Sequence, residues 1–274
     1  MYEYQICQSG QMYLWDIKSD NELFEGRNSH CHMECEIYYM VDGELEISIE
    51  GHVYHVVSDS LLFMPSNFFH QWKYPSEKIN HRICIHFLPE MLSKTEWDFF
   101  LNLFTEPLHF LNGSQYDLNF YIKAITECTL MGGSLQKIAI KSRIIAFLSQ
   151  IHYLWSTKAV KPVVLDERIR KVIAYLGDNL QKEISLNDLS DRFSITKNHL
   201  NFLFHKMVGT TIMKYITVKR LGFARQQILR GTRLSEAAYL AEFNEYSSFF
   251  RAYKAFYGSA PSELIACGVN TFKS

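Results

Sequence analysis

No stretch of this 274-residue chain approaches 18 consecutive apolar residues, so no membrane-spanning helix and no membrane partner are expected. The opening MYEYQICQSGQMYLW lacks a basic region and an apolar core ahead of a small-residue cleavage site, and a cytoplasmic protein is expected. Six cysteines (Cys7, Cys31, Cys35, Cys84, Cys128 and Cys267) include no CxxC pair. Scattered thiols in an unexported chain are expected to stay reduced and mostly buried, without a disulfide framework. A Gly-rich phosphate loop, a GxSxG elbow and an HExxH helix are all missing, so no enzyme and no cofactor are expected. Repeats of solenoid period and low-complexity tracts are also absent.

What the chain does have is a hidden charge asymmetry. The formal net charge is only −1, yet residues 1–161 carry 12 Lys+Arg against 19 Asp+Glu, and residues 162–274 carry 16 against 10. An acidic majority followed by a basic final third points to nucleic-acid contact through that third. The plain alternative is clustering of charges on solvated helix faces.

Hydrophobic periodicity divides the chain further. From about 13 to 88 it reads in short alternating runs such as EIYYMVDGELEISIEGHVYHVV, with Asp42-Gly43 and Glu50-Gly51 supplying turns, as in a barrel or sandwich. From about 91 to 156 the period lengthens, and Ile138, Ile145, Leu148 and Ile151 form a helical stripe. The stretch STKAVKPVVLD reads as a linker. Beyond it, Ile169, Val172, Ile173, Leu176 and Leu180 make one face of an amphipathic helix.

Two short helix pairs follow. In SLNDLSDRFSITKNHLNFLFHKMVG, Ser185 with Asp188 can cap the first helix and Thr196 the second, around a core of Phe193, Ile195, Leu200, Leu203 and Phe204. LSEAAYLAEFNEYSSFFRAYKAFYG repeats the plan, burying Phe249, Tyr253 and Phe256 on its second helix. Each is a helix-turn-helix pattern, in which the second helix enters the major groove. A longer helix near 211–230 would join the two.

These residues resemble the AraC/XylS family of transcription regulators over 166–264. The first unit matches at Leu189, Phe193, Leu200, Phe204, Lys206 and Gly209, and the linking helix at Tyr215, Arg220 and Ala224. The most diagnostic signature is matched by Phe243, Ser247, Phe249, Arg251, Lys254, Gly258, Pro261, Ser262 and Glu263. Three departures stand out: Glu242 where the second turn usually has Gly, Glu245 where a short cap is usual (so that Asn244 is expected to cap instead), and a connection from Arg220 to Leu234 about one residue short. The resemblance implies DNA contacts from Lys197, Asn198, His199 and Asn201 in the first unit. In the second it implies Asn244, Tyr246 and Ser247, with Arg251 and Lys254 on phosphates.

The N-terminal part carries a second resemblance. His30, His32, Glu34, Glu36 and Tyr38 are expected on one strand face. The pattern His30, His32, Glu36, Gly43 followed by Pro65, Asn67, His70 is similar to the two cupin motifs, with Asn67 where Gly is usual. Cupin enzymes hold a divalent metal with three such histidines and the glutamate, which makes His30, His32, Glu36 and His70 candidate ligands. The alternatives left open are a small-molecule effector site formed by His30, His32, Glu36, Tyr38, His70, Trp72, Arg82 and His86, and a purely structural barrel. Trp15 and Arg27 are candidates for a lid from the N-terminal arm.

The expected architecture is multidomain: a cupin-like β-barrel sensor at 1–90, a helical dimerisation segment at 91–156, a linker at 157–166, and an all-helical DNA-binding domain at 167–274 with two helix-turn-helix units. The resemblance implies a homodimeric transcription regulator, an activator more readily than a repressor, that binds double-stranded DNA, answers to a small-molecule effector and works with RNA polymerase. The alternative is a metal-dependent cupin enzyme or metal sensor fused to a DNA-binding domain.

Overall fold

The computed structural model describes residues 3–8, 12–19, 29–73, 80–158, 163–164 and 166–264. The chain divides into two compact units, Met1–Val163 and Val164–Ser274. No helix among the described residues is long and apolar enough to cross a membrane.

The first unit is built on strands β1 (Glu3–Gln8), β2 (Met12–Ser19), β3 (Cys35–Asp42), β4 (Glu44–Ile49), β5 (His52–Val57), β6 (Ser60–Met64), β7 (His70–Lys73), β8 (Asn80–Phe87) and β9 (Leu108–Phe110). One sheet has the order β1-β2-β8-β3-β6-β9, and a second sets β5, β4 and β7 side by side. The β4–β5 hairpin turns through Glu50 at φ 47° and Gly51 at φ 84°, the two positive φ angles that a tight two-residue turn demands.

Alternation splits β3 between two cores. Cys35, Ile37 and Tyr39 face one that also holds Phe63, Ile85 and Phe87, while Tyr38 and Met40 face another with Ile47, Ile49, Val56 and Leu62. The first core is closed by three helices, α1 (Lys94–Phe100), α2 (Leu118–Glu127) and α3 (Gly133–Lys158). Ser93 and Glu96 form a reciprocal cap at the start of α1, worth about 1 kcal/mol.

Two expectations need revision here. The segment 91–156 is not wholly helical, because Leu108–Phe110 forms β9 and extends the first sheet beside β6. The helical stripe also divides: Leu148 and Ile151 are fully buried, whereas Ile138 is 66% exposed. The inward face of α3 is Ala139, Ile140, Ile144, Phe147, Leu148, Ile151 and Leu154, with Ile145 and Trp155 packed at its edge. The helix also runs two residues past 156, into the expected linker, most of which lies outside the described residues.

The second unit comprises α4 (Glu167–Asn179), α5 (Leu186–Phe193), α6 (Lys197–Val208), α7 (Ile212–Leu229), α8 (Leu234–Leu240) and α9 (Tyr246–Tyr257). Ser185 caps α5 by accepting from the Asp188 amide at 3.2 Å, and its hydroxyl donates back to Asp188 Oδ2 at 2.6 Å. The chain between α5 and α6 turns through Ser194 at φ 53°, and that between α8 and α9 through Glu242 at φ 59°. Thr196 stands at the N-cap of α6 and makes no side-chain cap, contrary to expectation. Glu245 is the N-cap residue of α9, also without a side-chain bond, so Asn244 does not take over that role.

Burial explains why the helices stay together. Leu189, Leu200, Phe204, Ile212 and Tyr215 are buried in the first half of the unit. In the second half, Leu221, Ala224, Ala237, Ala241, Phe249 and Tyr253 share one cluster, with Phe243 and Phe256 packed on its edge. The small alanines on α8 let α7 and α9 approach it closely.

Candidate functional site

In the first unit a polar cluster gathers around Glu36. This carboxylate, only 4% exposed, lies on β3 directly across from His86 on β8. Its Oε1 is 3.1 Å from His86 Nε2, while Oε2 is 3.6 Å from His32 Nε2 and 3.8 Å from His70 Nε2. Contrary to expectation, His30 and His32 do not share a strand with Glu36, because β3 begins at Cys35. An isolated antiparallel bridge between His30 and His70 delivers them instead, with the Asn67 amide donating to the His32 carbonyl at 2.8 Å. Asn67 sits at φ 64°, a left-handed angle that Asn tolerates and that explains its standing where Gly is usual.

Backbone carbonyls orient two of the rings. His70 Nδ1 lies 3.0 Å from the Phe68 carbonyl and His32 Nδ1 3.2 Å from that of Glu34. A carbonyl only accepts, so each Nδ1 carries a proton, and the neutral His70 ring presents its Nε2 lone pair towards Glu36. His32 Nε2, His70 Nε2 and Glu36 Oε2 are all buried without a hydrogen-bond partner. Burial drives the His70 pKa down to about 3, keeping that imidazole neutral. For His32, burial also works downward, but the Glu36 carboxylate more than offsets it and the pKa is raised. Burial opposes ionisation of Glu36 too; its electrostatic interactions with the neighbouring His86 and His32 outweigh it and hold the carboxyl well below the usual range.

Aromatic rings wall the cluster. Trp72 stacks on Tyr38 at 4.4 Å and meets His70 edge-on at 5.8 Å. Trp15 packs edge-on against His86 at 4.5 Å. It belongs to β2, paired with Cys84, and is therefore part of the sheet rather than a lid; Arg27 lies outside the described residues. Arg82 is buried and bonded to Asn80 Oδ1. It lies four residues along β8 from His86, roughly 13 Å away, so it is not drawn into the histidine cluster. Its Asn80 partner lies two residues away on the same strand, where alternation places both side chains on one face.

The second unit presents two helix N-termini in matching settings. On α6, Lys197, Asn198 and His199 are all exposed at the first turn. Asn201, expected on DNA, is half-buried, and its Oδ1 accepts from the Ile212 amide at 3.2 Å, anchoring the start of α7. On α9, Tyr246, Ser247, Arg251 and Lys254 are exposed, as is Asn244 before it, and Arg251 reaches Ser248 Oγ at 3.3 Å. Phe202, His205 and Lys206 are also exposed on α6, turned away from the core that Leu200, Leu203 and Phe204 enter, and were not among the expected DNA contacts.

A sheet-rich unit with a buried polar cluster, followed by a helical unit with two helix-turn-helix pairs, is the build of a ligand-responsive DNA-binding protein. Comparison with known proteins agrees. Residues 20–100 match the AraC-like ligand binding domain and residues 189–266 match a helix-turn-helix domain. Over 99 residues, 35% of the chain, the sequence is 35% identical to the probable transcriptional regulator LumQ of Photobacterium leiognathi, a match spanning 40% of that protein. Over 96 residues, 34% of the chain, it is 31% identical to the transcriptional activator AarP of Providencia stuartii, spanning 70% of that protein. A longer match, 231 residues at 23% identity and 80% of each chain, joins it to the transcriptional regulator YbfI of Bacillus subtilis. The chain belongs to the AraC/XylS family of transcriptional regulators.

Proposed function

We propose that the protein is a sequence-specific transcription activator whose output is set by an effector bound at the Glu36 cluster. The observation that carries this reading is the pair of exposed, polar helix starts, at Lys197–His199 and Tyr246–Ser247, joined by one long helix. The 18 residues of α7 span about 27 Å, close to the roughly 34 Å between successive major-groove turns. Lys197, Asn198 and His199 then read base edges in one groove, and Asn244, Tyr246 and Ser247 in the next. Arg251 and Lys254 hold phosphates, which position without reading sequence. A map of genomic fragments retained by the purified protein at two salt concentrations tests this. Discrete bipartite sites support the reading, and uniform binding that salt abolishes would sink it.

Dimerisation and a contact with RNA polymerase complete the proposal. An exposed stripe along α3 holds Leu135, Ile138, Ser142, Ala146, Ser149 and Tyr153, none of them charged, with Lys137 and Lys141 at its flank. A helix that is apolar inside and carries such an exposed uncharged stripe is suited to pairing with a second copy, and a second copy multiplies effective concentration at a doubled site. The effector shifts an existing balance between DNA-competent and incompetent arrangements.

A second reading concerns the effector's chemistry. The His70 lone pair faces Glu36 Oε2 beside His32 Nε2, three buried atoms without a hydrogen-bond partner and an arrangement suited to a cation, and rings fixed through Nδ1 by carbonyls are the usual setting of metal-binding histidines. His32, Glu36 and His86 bring ligand atoms within 4.8 Å of one another, as do His30, His32 and His70. Such a donor set fits zinc, iron, manganese or nickel. Metal content after dialysis against trace zinc or cobalt decides it. One ion per chain, lost in His70→Ala, supports a metal-bound effector; no retained ion leaves the cluster to an organic one.

A further inference from the structure

The exposed residues of α6 are Lys197, Asn198, His199, Phe202, His205 and Lys206. Five of them carry hydrogen-bond donors, and no acidic residue occurs anywhere in the helix. Phe202 is the exception, an aromatic ring left 62% exposed in the middle of that polar face. Isolated apolar side chains on a surface are ordinary. What separates Phe202 from them is its position. Asn198, Phe202, His205 and Lys206 stand at i, i+4, i+7 and i+8, one side of the helix, and together with Asn201 they line an open groove of about 350 Å³.

We propose that Phe202 is a specificity-determining residue that packs against the 5-methyl group of a thymine in the major groove. The inference rests on the DNA-binding reading above and adds which base, and which part of it, this side chain selects. The major groove offers one apolar feature, the thymine methyl, and side chains such as Phe recognise it by contact rather than by hydrogen bonding. Lys197 and Lys206 bring charge complementary to the phosphates on either side, so the ring is carried into the groove by a face already suited to DNA. Asn201 cannot supply the discrimination through its oxygen, because that atom holds the Ile212 amide. Nor is the ring needed inside the unit: Leu200, Leu203 and Phe204 on the same helix turn inward to the core.

The test removes one methyl group at a time. The full-length protein is used to select a binding site from random duplexes, and each thymine of the selected site is then replaced by deoxyuridine, which pairs identically but lacks the methyl. Burying one methyl is worth roughly threefold to tenfold in affinity. The expected result is a loss of that size at one or two positions of a single half-site. Phe202→Ala is expected to weaken the thymine duplex by a similar factor, to bind the deoxyuridine duplex no worse than the thymine one, and to keep its helical circular dichroism. Equal affinity for thymine and deoxyuridine at every position overturns the inference while leaving the regulator intact. So does an undiminished deoxyuridine penalty in Phe202→Ala. Failure to enrich any sequence is a different result: it overturns the regulator reading and this inference with it.

Discussion

Arg220 on α7 donates from Nη1 to the backbone carbonyl of Glu242 at 3.4 Å, while its Nε and Nη2 hold the carbonyls of Leu180 at 3.0 Å and Lys182 at 2.6 Å. One guanidinium therefore ties the end of α4 to the turn of the second helix pair. Arg220→Ala is expected to destabilise the second unit by about 2–3 kcal/mol, since charged hydrogen bonds of this kind are lost and three carbonyls are released. Arg220→Lys recovers only part, because an ammonium cannot span three acceptors in a planar fork. Denaturant titration followed by helical circular dichroism measures both; a cost below 0.5 kcal/mol for Arg220→Ala would contradict the role.

The two recognition turns share a strained feature. Ser194 and Glu242 both occupy left-handed backbone, at φ 53° and φ 59°, where a Cβ costs about 1 kcal/mol or more. Ser194→Gly and Glu242→Gly are each expected to stabilise the unit by roughly 0.5–1 kcal/mol after the entropy of the unfolded glycine is counted. Glu242→Gly also removes a negative charge beside the second recognition helix, so DNA affinity is expected to rise more in it than in Ser194→Gly. Equal affinities would show that the carboxylate lies out of reach of the phosphates.

His109 on β9 gives the first unit an acid sensitivity. Burial, and next the neighbouring His55, lower its pKa from 6.5 to about 4. The unfolded chain thus binds a proton that the folded one refuses, and stability present above pH 6.5 is lost as the pH falls towards 4. The loss is about 2 kcal/mol at pH 5 and near 3 kcal/mol once both states are protonated. Replacing His109 by Gln should flatten the profile of melting temperature against pH between 7 and 5 relative to the parent protein, and an unchanged slope would assign the effect elsewhere.

Ile138→Glu places a charge in the middle of the outward face of α3. Because Ile138 is exposed, the fold of the protomer should survive with a stability change within about 0.5 kcal/mol. Self-association should weaken at least tenfold, since a desolvated, unpaired carboxylate is costly at an interface. Sedimentation velocity across a concentration series separates the two effects. The control is Leu148→Ala, which should destabilise the fold by about 2–5 kcal/mol as a fully buried position.

Much of this was legible in the sequence, and the parts that were not share a physical cause. The helix pairs could be read because capping, spacing and aromatic periodicity all operate within a few residues, so Ser185, Phe204 and Phe249 took their expected places. The histidine cluster was only half legible. His30 and His32 reach Glu36 by a long-range bridge to His70, and no local pattern announces such a pairing. The same limit hid β9 inside a stretch that reads as helical, and the partition of α3 into an inward and an outward face. Phase around a helix follows from what packs against it, and that partner lies far away in the chain.

The length of α7, pinned at Arg220 to the turn it serves, also bears on how promoters diverge. A single inserted base pair rotates the far groove by roughly 34–36° about the duplex axis, which a continuous helix cannot follow by adjusting a side chain. Changing a letter costs one contact, whereas changing the spacing costs the whole second helix. Binding sites for this protein should therefore drift in their bases while keeping a fixed gap, and that gap, more than any consensus letter, is the signature by which its targets can be found.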